Sequence, residues 1–261
     1  MVSLTHESNR DKMPTFATIL HYRNYLVGGV FAIIFLWENI IPQRKFSNIF
    51  LHNLKNFGYG AINLTISFGG GYYFSKYLDW SHVHNKFSIC FASYKWQVII
   101  SILCADILMY WWHRFNHTIY FLWKFHALHH QDEAMNSTTA VRFHIIELLF
   151  SFIFRAVFYP LLGIDSTILL LFSTLHFMMI VFHHSNVYIT DKIDLIIRLF
   201  ITSPGMHRIH HSNKWQETNS NYTSILSCWD WIFRTYVKKS EKDIQFGIPA
   251  NLETLRNKKG V

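Results

Sequence analysis

Two short segments, His126-Ala-Leu-His129-His130 and His207-Arg-Ile-His210-His211, carry the same pattern, His-x-x-His-His. On a helix, residues i, i+3 and i+4 share a face, so each segment aims three imidazoles in one direction. The chain has 17 histidines in 261 residues, and 12 of them fall between His113 and His211. Scattered at random, 17 histidines would give one such triplet only about 0.07 times. A purification tag would be contiguous and terminal, and neither segment is. The pattern therefore demands a fold that gathers imidazoles from separate helices around metal.

Further histidines join these two boxes. His113-Arg-Phe-Asn-His117 places two rings four residues apart on one helical face. Alone, that pair reads better as two interfacial histidines beside aromatics. His183-His184 follows an apolar run, with His176 seven and eight residues upstream, close to two helical turns. Ionisable side chains in apolar helices are costly and mark function by default. His184 is expected to be a ligand, and His176 and His183 are either ligands or partners that orient them. His144 stands three residues before Glu147 and is open among ligand, orienting partner and plain interfacial residue. His6, His21, His52, His82 and His84 are isolated and are read as structural, His82 and His84 lying in a loop on the opposite side. Ligating imidazoles usually donate their second N–H to a carboxylate or carbonyl. Asp106, seven residues before His113 on the same face, is the leading acid for that role. Asp132, Glu133, Glu147 and Asp230 are others.

The helices holding these boxes are expected to lie in a membrane. Residues 25–37, 58–77, 96–112, 145–162 and 168–182 are apolar runs, giving four or five spans of roughly 20 residues. The last two form a helical hairpin turned by Pro160, Gly163 and Asp165. Only 15% of residues are charged, against about 25% in ordinary soluble domains. The net charge of +8 is not gathered into a patch with stacking aromatics, so lipid rather than nucleic acid is the expected partner. Basic loops 42–55 and 113–143 argue that the boxes face the cytoplasm. Three cysteines, Cys90, Cys104 and Cys228, offer no disulfide framework. No signal peptide is evident. The expected organisation is a polar segment 1–24, a membrane-embedded all-α domain 25–236 with a helical cap carrying the boxes, and a charged tail 237–261.

Nine good histidine positions exceed the needs of one zinc site and match four or five nitrogens for each of two metals. Imidazole accepts iron, zinc, copper and nickel. A ferrous pair with open positions binds and reduces dioxygen, and its oxidant attacks unactivated C–H bonds such as those of lipids. A zinc hydrolase would carry a glutamate base as in HExxH, and none is found. A metal transporter would disperse histidines along its spans or in loops. A bis-histidine haem protein needs single histidines on facing helices, not triplets.

The runs Asp106-Ile-Leu-Met-Tyr110-Trp-Trp112-His113-Arg114-Phe-Asn-His117, Leu122-Trp123-Lys-Phe-His126-Ala-Leu-His129-His130, and Asn136-Ser-Thr-Thr139-Ala-Val-Arg142-Phe-His144 resemble the signature of the fatty acid hydroxylase/sterol desaturase superfamily. So do Ser203-Pro204-Gly-Met-His207-Arg208-Ile-His210-His211, Asn219-Ser-Asn221-Tyr222 and Trp229-Asp230-Trp-Ile-Phe233-Arg-Thr235-Tyr236, and more loosely Glu38, Pro42, Arg44 and Asn53-Leu54. The resemblance covers roughly residues 35–236. It implies a di-iron site (zinc replacing iron on purification), dioxygen as co-substrate, a lipid substrate such as a fatty acyl chain, sterol or ether lipid, and electrons from a reductase, ferredoxin or cytochrome. It implies His113, His117, His126, His129, His130, His184, His207, His210 and His211 as ligands. The His176–His184 spacing is similar to the alkylglycerol monooxygenase branch. The chain departs from the family at Ile145, where proline is common, at Thr223 and Arg234, where glycine is favoured, and at Trp231, where a basic residue is usual. A closing loop of different shape is therefore expected.

Overall fold

The computed structural model describes residues 16–85, 93–238 and 244–248. Most of the expected polar segment 1–24 and of the charged tail 237–261, together with His6 and Cys90, lies outside the described residues. The rest is helical, and among the described residues there is no strand, only isolated bridges such as Pro42 with Val187. The order is α1 (Phe16–Ile40), α2 (Ile49–His84), α3 (Tyr94–Thr118), α4 (Tyr120–His130), α5 (Ile145–Phe158), α6 (Ser166–His184), α7 (Asp191–Ile197), α8 (Pro204–His210), α9 (Trp215–Thr218) and α10 (Cys228–Ile232). Short 3-10 turns cover Ser137–Val141 and Pro160–Leu162.

Three stretches are long and apolar enough to cross a membrane: α3, α5 with the turn that extends it to Leu162, and α6. The other two expected runs lie inside α1 and α2, which are long but are not among these three. His82 and His84, expected in a loop, instead occupy the last turn of α2. The α5–α6 hairpin forms as expected. Gly163 takes the left-handed conformation at φ 63° that ends the first helix, and the Asp165 side chain accepts from the Ile168 N–H at 2.8 Å to start the second.

The solvent preference of α2 is inverted relative to a soluble protein. It buries Asn53, Asn56, Asn63 and Ser81, while Phe50 (76% exposed), Phe68 and Tyr73 face outward. That is the pattern expected where the surroundings are hydrocarbon and polar groups must be satisfied inside. An apolar core of Phe74, Leu78, Val98, Ile168 and Phe172 packs α2, α3 and α6 at the end of the bundle remote from the boxes. At the other end the helices open around histidines.

Candidate metal centre

Four helix ends deliver the imidazoles. The last turns of α3 carry His113 and His117. The chain turns at Ile119 and α4 returns His126, His129 and His130 on one face. His184 is the last residue of α6. The short helix α8 starts on a Ser203 cap, whose Oγ accepts from the Met206 N–H at 3.1 Å, with Pro204 in its first turn. It presents His207 and His210, and His211 follows its last turn.

These nine rings fall into two groups, within each of which one nitrogen per residue lies inside 4.8 Å of the others. One group is His113, His117, His126, His130 and His210, and the other is His129, His184, His207 and His211. The groups adjoin: the rings of His130 and His211 stack at 4.3 Å. All nine are buried except His113, which is half-buried.

Oxygen acceptors behind the rings set their orientation. His113 Nδ1 donates to the Tyr222 carbonyl at 2.7 Å, His210 Nδ1 to the Ser220 carbonyl at 2.7 Å and His184 Nδ1 to the Ile180 carbonyl at 2.8 Å. His129 Nδ1 faces the Arg142 carbonyl at 3.3 Å, and His126 Nδ1 donates to Glu147 Oε1 at 2.8 Å. A carbonyl only accepts, so the proton sits on Nδ1 and the Nε2 lone pair points inward. His184 Nε2 then lies 3.0 Å from His129 Nε2 and 3.1 Å from His207 Nε2. With protons held on the far nitrogens of His184 and His129, that 3.0 Å contact sets lone pair against lone pair, which a shared cation would resolve.

The remaining nitrogens support the same reading. Both ring nitrogens of His117, His130 and His211, and Nε2 of His126 and His210, are buried without a hydrogen-bond partner. Each such group costs about 1–3 kcal/mol unless something binds it. Burial pushes His129, His130, His207 and His211 well below the ordinary imidazole range, and His210 down to about 3. The rings are therefore neutral, the form in which imidazole ligates metal. Four or five nitrogen donors per group form clusters able to bind metal.

The family model described as fatty acid hydroxylase matches residues 98–235, the stretch that supplies every ring above. The chain belongs to the fatty acid hydroxylase family. Its relatives include the ornithine lipid hydroxylase OlsE of Rhizobium tropici, 33% identical over 141 residues, 54% of this chain and 41% of that protein. Alkylglycerol monooxygenase of Danio rerio is 31% identical over 150 residues, 57% of this chain and 32% of that one. The Homo sapiens enzyme of the same name is 29% identical over 162 residues, 61% and 34% respectively. The chain thus spans less than half the length of these relatives. No solved structure matches it.

In this fatty acid hydroxylase family member, the other expected site residues are not members of the two groups. His183 donates Nδ1 to the Ser224 carbonyl at 3.2 Å and packs on His207 at 4.0 Å, so it supports that ring from outside. His144 accepts from the Ile146 N–H at 3.1 Å and caps α5. His176 stacks on Phe172, two turns away from His184. Asp106 does not orient His113. Its Oδ2 accepts from the Leu226 N–H at 3.1 Å and the Trp229 indole at 2.8 Å, pinning the closing loop to α3. That loop keeps the shape glycine favours despite its substitution: Arg234 adopts φ 56°. Two partners escaped the sequence reading. His52, taken as isolated, bonds Asp132 at 2.6 Å. With Thr139 Oγ1 donating at 2.7 Å, this holds the Asp132 carboxyl down to about 2 at the exit of α4. Glu38 accepts from Ser137 and from the Asn186 N–H at 2.8 Å, tying the segment after α6 to α1.

Proposed function

We propose that the nine histidines hold two iron ions, and that the protein uses them with dioxygen and external electrons to oxidise a C–H bond of a lipid, by hydroxylation. The observation that carries this reading is the convergence of two adjoining groups of imidazoles, all but His113 buried, at the end of three membrane-length apolar helices. The metal pair supplies dioxygen activation and hydrogen-atom removal from unactivated carbon. The Nδ1 bonds to Glu147 and to the four carbonyls hold the rings so that little reorganisation accompanies metal binding. Trp123, packed on His117 and His130, and Tyr222, packed on His113, His117 and His210, exclude water from the first group. The apolar faces of α3, α5 and α6 offer a chain-shaped substrate a route from the bilayer.

Two classes of relative, a lipid hydroxylase and a monooxygenase, favour oxygen insertion over desaturation, which shares the first hydrogen abstraction. In this reading electrons come from a reductase, ferredoxin or cytochrome, and the basic loops favour the cytoplasmic side of a bacterial inner membrane or the endoplasmic reticulum for the boxes. The test is metal content of protein expressed with iron and purified anaerobically, paired with oxygen uptake on chemical reduction. Two irons per chain with reductant-dependent uptake support the proposal. One tight zinc with no iron incorporated and no uptake would overturn it. Zinc in both groups calls for iron reconstitution before the uptake is read, because imidazole sites take zinc readily.

A further inference from the structure

A second polar cluster lies deep in the spans and takes no part in the metal groups. Arg155 on α5 is eight residues beyond Glu147, and His176 on α6 is eight residues before His184. The two helices run antiparallel, so both side chains stand about 12 Å from the histidine end, at the same depth. The Arg155 guanidinium lies over the Phe152 ring at 4.7 Å, within charge range of His176 and Tyr159. Phe172 joins the other two: His176 stacks on it at 5.3 Å, and Tyr159 meets it edge-on at 6.4 Å.

The polar atoms of this cluster are under-used. The Tyr159 hydroxyl, on a residue 1% exposed, has no hydrogen-bond partner, and neither does buried His176 Nε2. Arg155 donates Nε to the Ser151 carbonyl at 3.0 Å, and among the described residues no carboxylate pairs with it. Asp106 is within charge range of Tyr159; its Oδ2 is engaged by Leu226 and Trp229, its Oδ1 has no partner, and it makes no ion pair with Arg155. A cation left unpaired at this depth in hydrocarbon costs several kcal/mol. The guanidinium thus has a phenol and an imidazole within charge range at the same depth, and neither the phenol oxygen nor the imidazole Nε2 has a partner.

We infer that Arg155, Tyr159 and His176 form a subsite for the anionic oxygen group, carboxylate or phosphate, of an amphiphile whose apolar chain runs toward the histidine groups. The inference deepens the lipid-oxidation reading and rests on it for the chain's destination. A neutral hydroxyl or ester would satisfy the hydrogen bonds but leave the charge of Arg155 uncompensated. The lipid-facing flank of α5, with Ile153 and Val157 exposed, lets the amphiphile enter sideways. An anchor about 12 Å from the metals directs oxidation to carbon well down the chain, not to the position beside the anchored group.

The experiment is equilibrium binding of radiolabelled palmitate, hexadecyl phosphate and hexadecanol to the full chain in nanodiscs, without metal. Wild type is expected to bind one of the two anions saturably and more tightly than the alcohol, and the tighter anion identifies carboxylate or phosphate as the source. Arg155→Gln should weaken that anion by on the order of tenfold or more, the worth of a charge-assisted hydrogen bond, and leave hexadecanol unchanged. Arg155→Lys should restore part of the loss. Tyr159→Phe keeps the packed ring and should weaken the anion several-fold, which keeps the test decisive if the arginine variants do not fold. Equal affinity for anion and alcohol, or Arg155→Gln binding the anion as wild type does, would overturn the subsite. Because the assay needs neither metal nor turnover, failure of the oxygenase reading would appear separately, as absent iron and oxygen uptake.

Discussion

Asp230 offers the sharpest test of how the protein builds its site. Its carboxylate, 0% exposed, accepts four hydrogen bonds: from the Tyr222 N–H at 2.9 Å, the Thr223 N–H at 3.1 Å, the Thr223 hydroxyl at 2.6 Å and the Thr235 hydroxyl at 2.6 Å. The peptide so clamped presents the Tyr222 carbonyl to His113. Asp230→Asn preserves size but turns one oxygen into an NH₂ that must face donors. If that group replaces Oδ2, the Thr223 hydroxyl can rotate to accept, but the Thr223 N–H cannot, so one buried donor is stranded. Adding the lost charge assistance, the cost is about 2–4 kcal/mol. The Tyr222 carbonyl then shifts, His113 loses its fixed proton, and metal affinity falls on the order of tenfold or more. Asp106→Asn is the control, because Asp106 pins the same loop at Leu226 and Trp229 without touching the Tyr222 peptide. It should lower stability and spare metal affinity. Denaturation midpoints and metal retained after dialysis against a graded chelator measure the two effects. If Asp230→Asn loses stability as Asp106→Asn does but keeps wild-type metal affinity, the loop carries no orienting role and the reasoning fails.

Glu147→Gln should weaken metal retention about 10- to 100-fold by loosening His126, with little change in folding; unchanged retention would show that the bond at 2.8 Å is incidental. Arg234→Gly should raise stability by about 1 kcal/mol by relieving the left-handed backbone at φ 56°, and a lower unfolding midpoint would argue against strain there. Gly205→Ala would bring a methyl to 2.5 Å from Asp194 and 2.6 Å from Arg198, so a loss of about 1–3 kcal/mol and a displaced His207–His211 segment are expected; a neutral variant would mean that the ion pair moves freely. The metal-free protein should lose stability as pH falls. His210 is held at about 3 when folded and returns toward 6.5 when unfolded, so its contribution is complete above 6.5 and declines between 6.5 and 3, by about 1.4 kcal/mol per pH unit. A melting temperature flat from pH 7 to 5 would contradict the burial of these rings.

What was readable in the sequence was whatever repeats at helical spacing. The HxxHH triplets lie on helices and converge because i, i+3 and i+4 share a face, and the α5–α6 hairpin turns where Pro160, Gly163 and Asp165 mark it. The groups that hold the rings were much less legible. Four of them are carbonyls of Tyr222, Ser220, Ile180 and Arg142, and a carbonyl carries no residue signature. Asp106 misled for a physical reason: sharing a helical face with His113 places it about 10 Å along the axis, out of reach of the ring. His52 looked isolated because its partner Asp132 is 80 positions away in the chain. Glu38, Pro42, Arg44 and Asn53 stood out only through the family resemblance. In the fold all four converge on the segments beside the histidines: Glu38 on Ser137 and Asn186, Pro42 on Val187, the Arg44 N–H on Asn186, and Asn53 on Asn136.

These contacts explain why acids are absent from both donor groups yet abundant one layer out. The nine rings contribute little to holding themselves together, and nine of their nitrogens (both of His117, His130 and His211, Nε2 of His126 and His210, and Nδ1 of His207) gain nothing from the protein alone. The segments carrying them are clamped instead by buried carboxylates that accept backbone N–H and hydroxyl groups: Glu38 behind the chain leaving α6, Asp132 behind the exit of α4, Asp230 behind the closing loop. A carboxylate inside a group would neutralise bound metal; outside it, the same charge stabilises a positive centre at longer range while fixing the scaffold before metal arrives. Among the described residues only Glu147 touches both layers, bonding an imidazole directly and approaching the Asn116 amide of α3. By this logic the framework around the site is set by its acids, and the imidazoles occupy positions that the framework has already chosen.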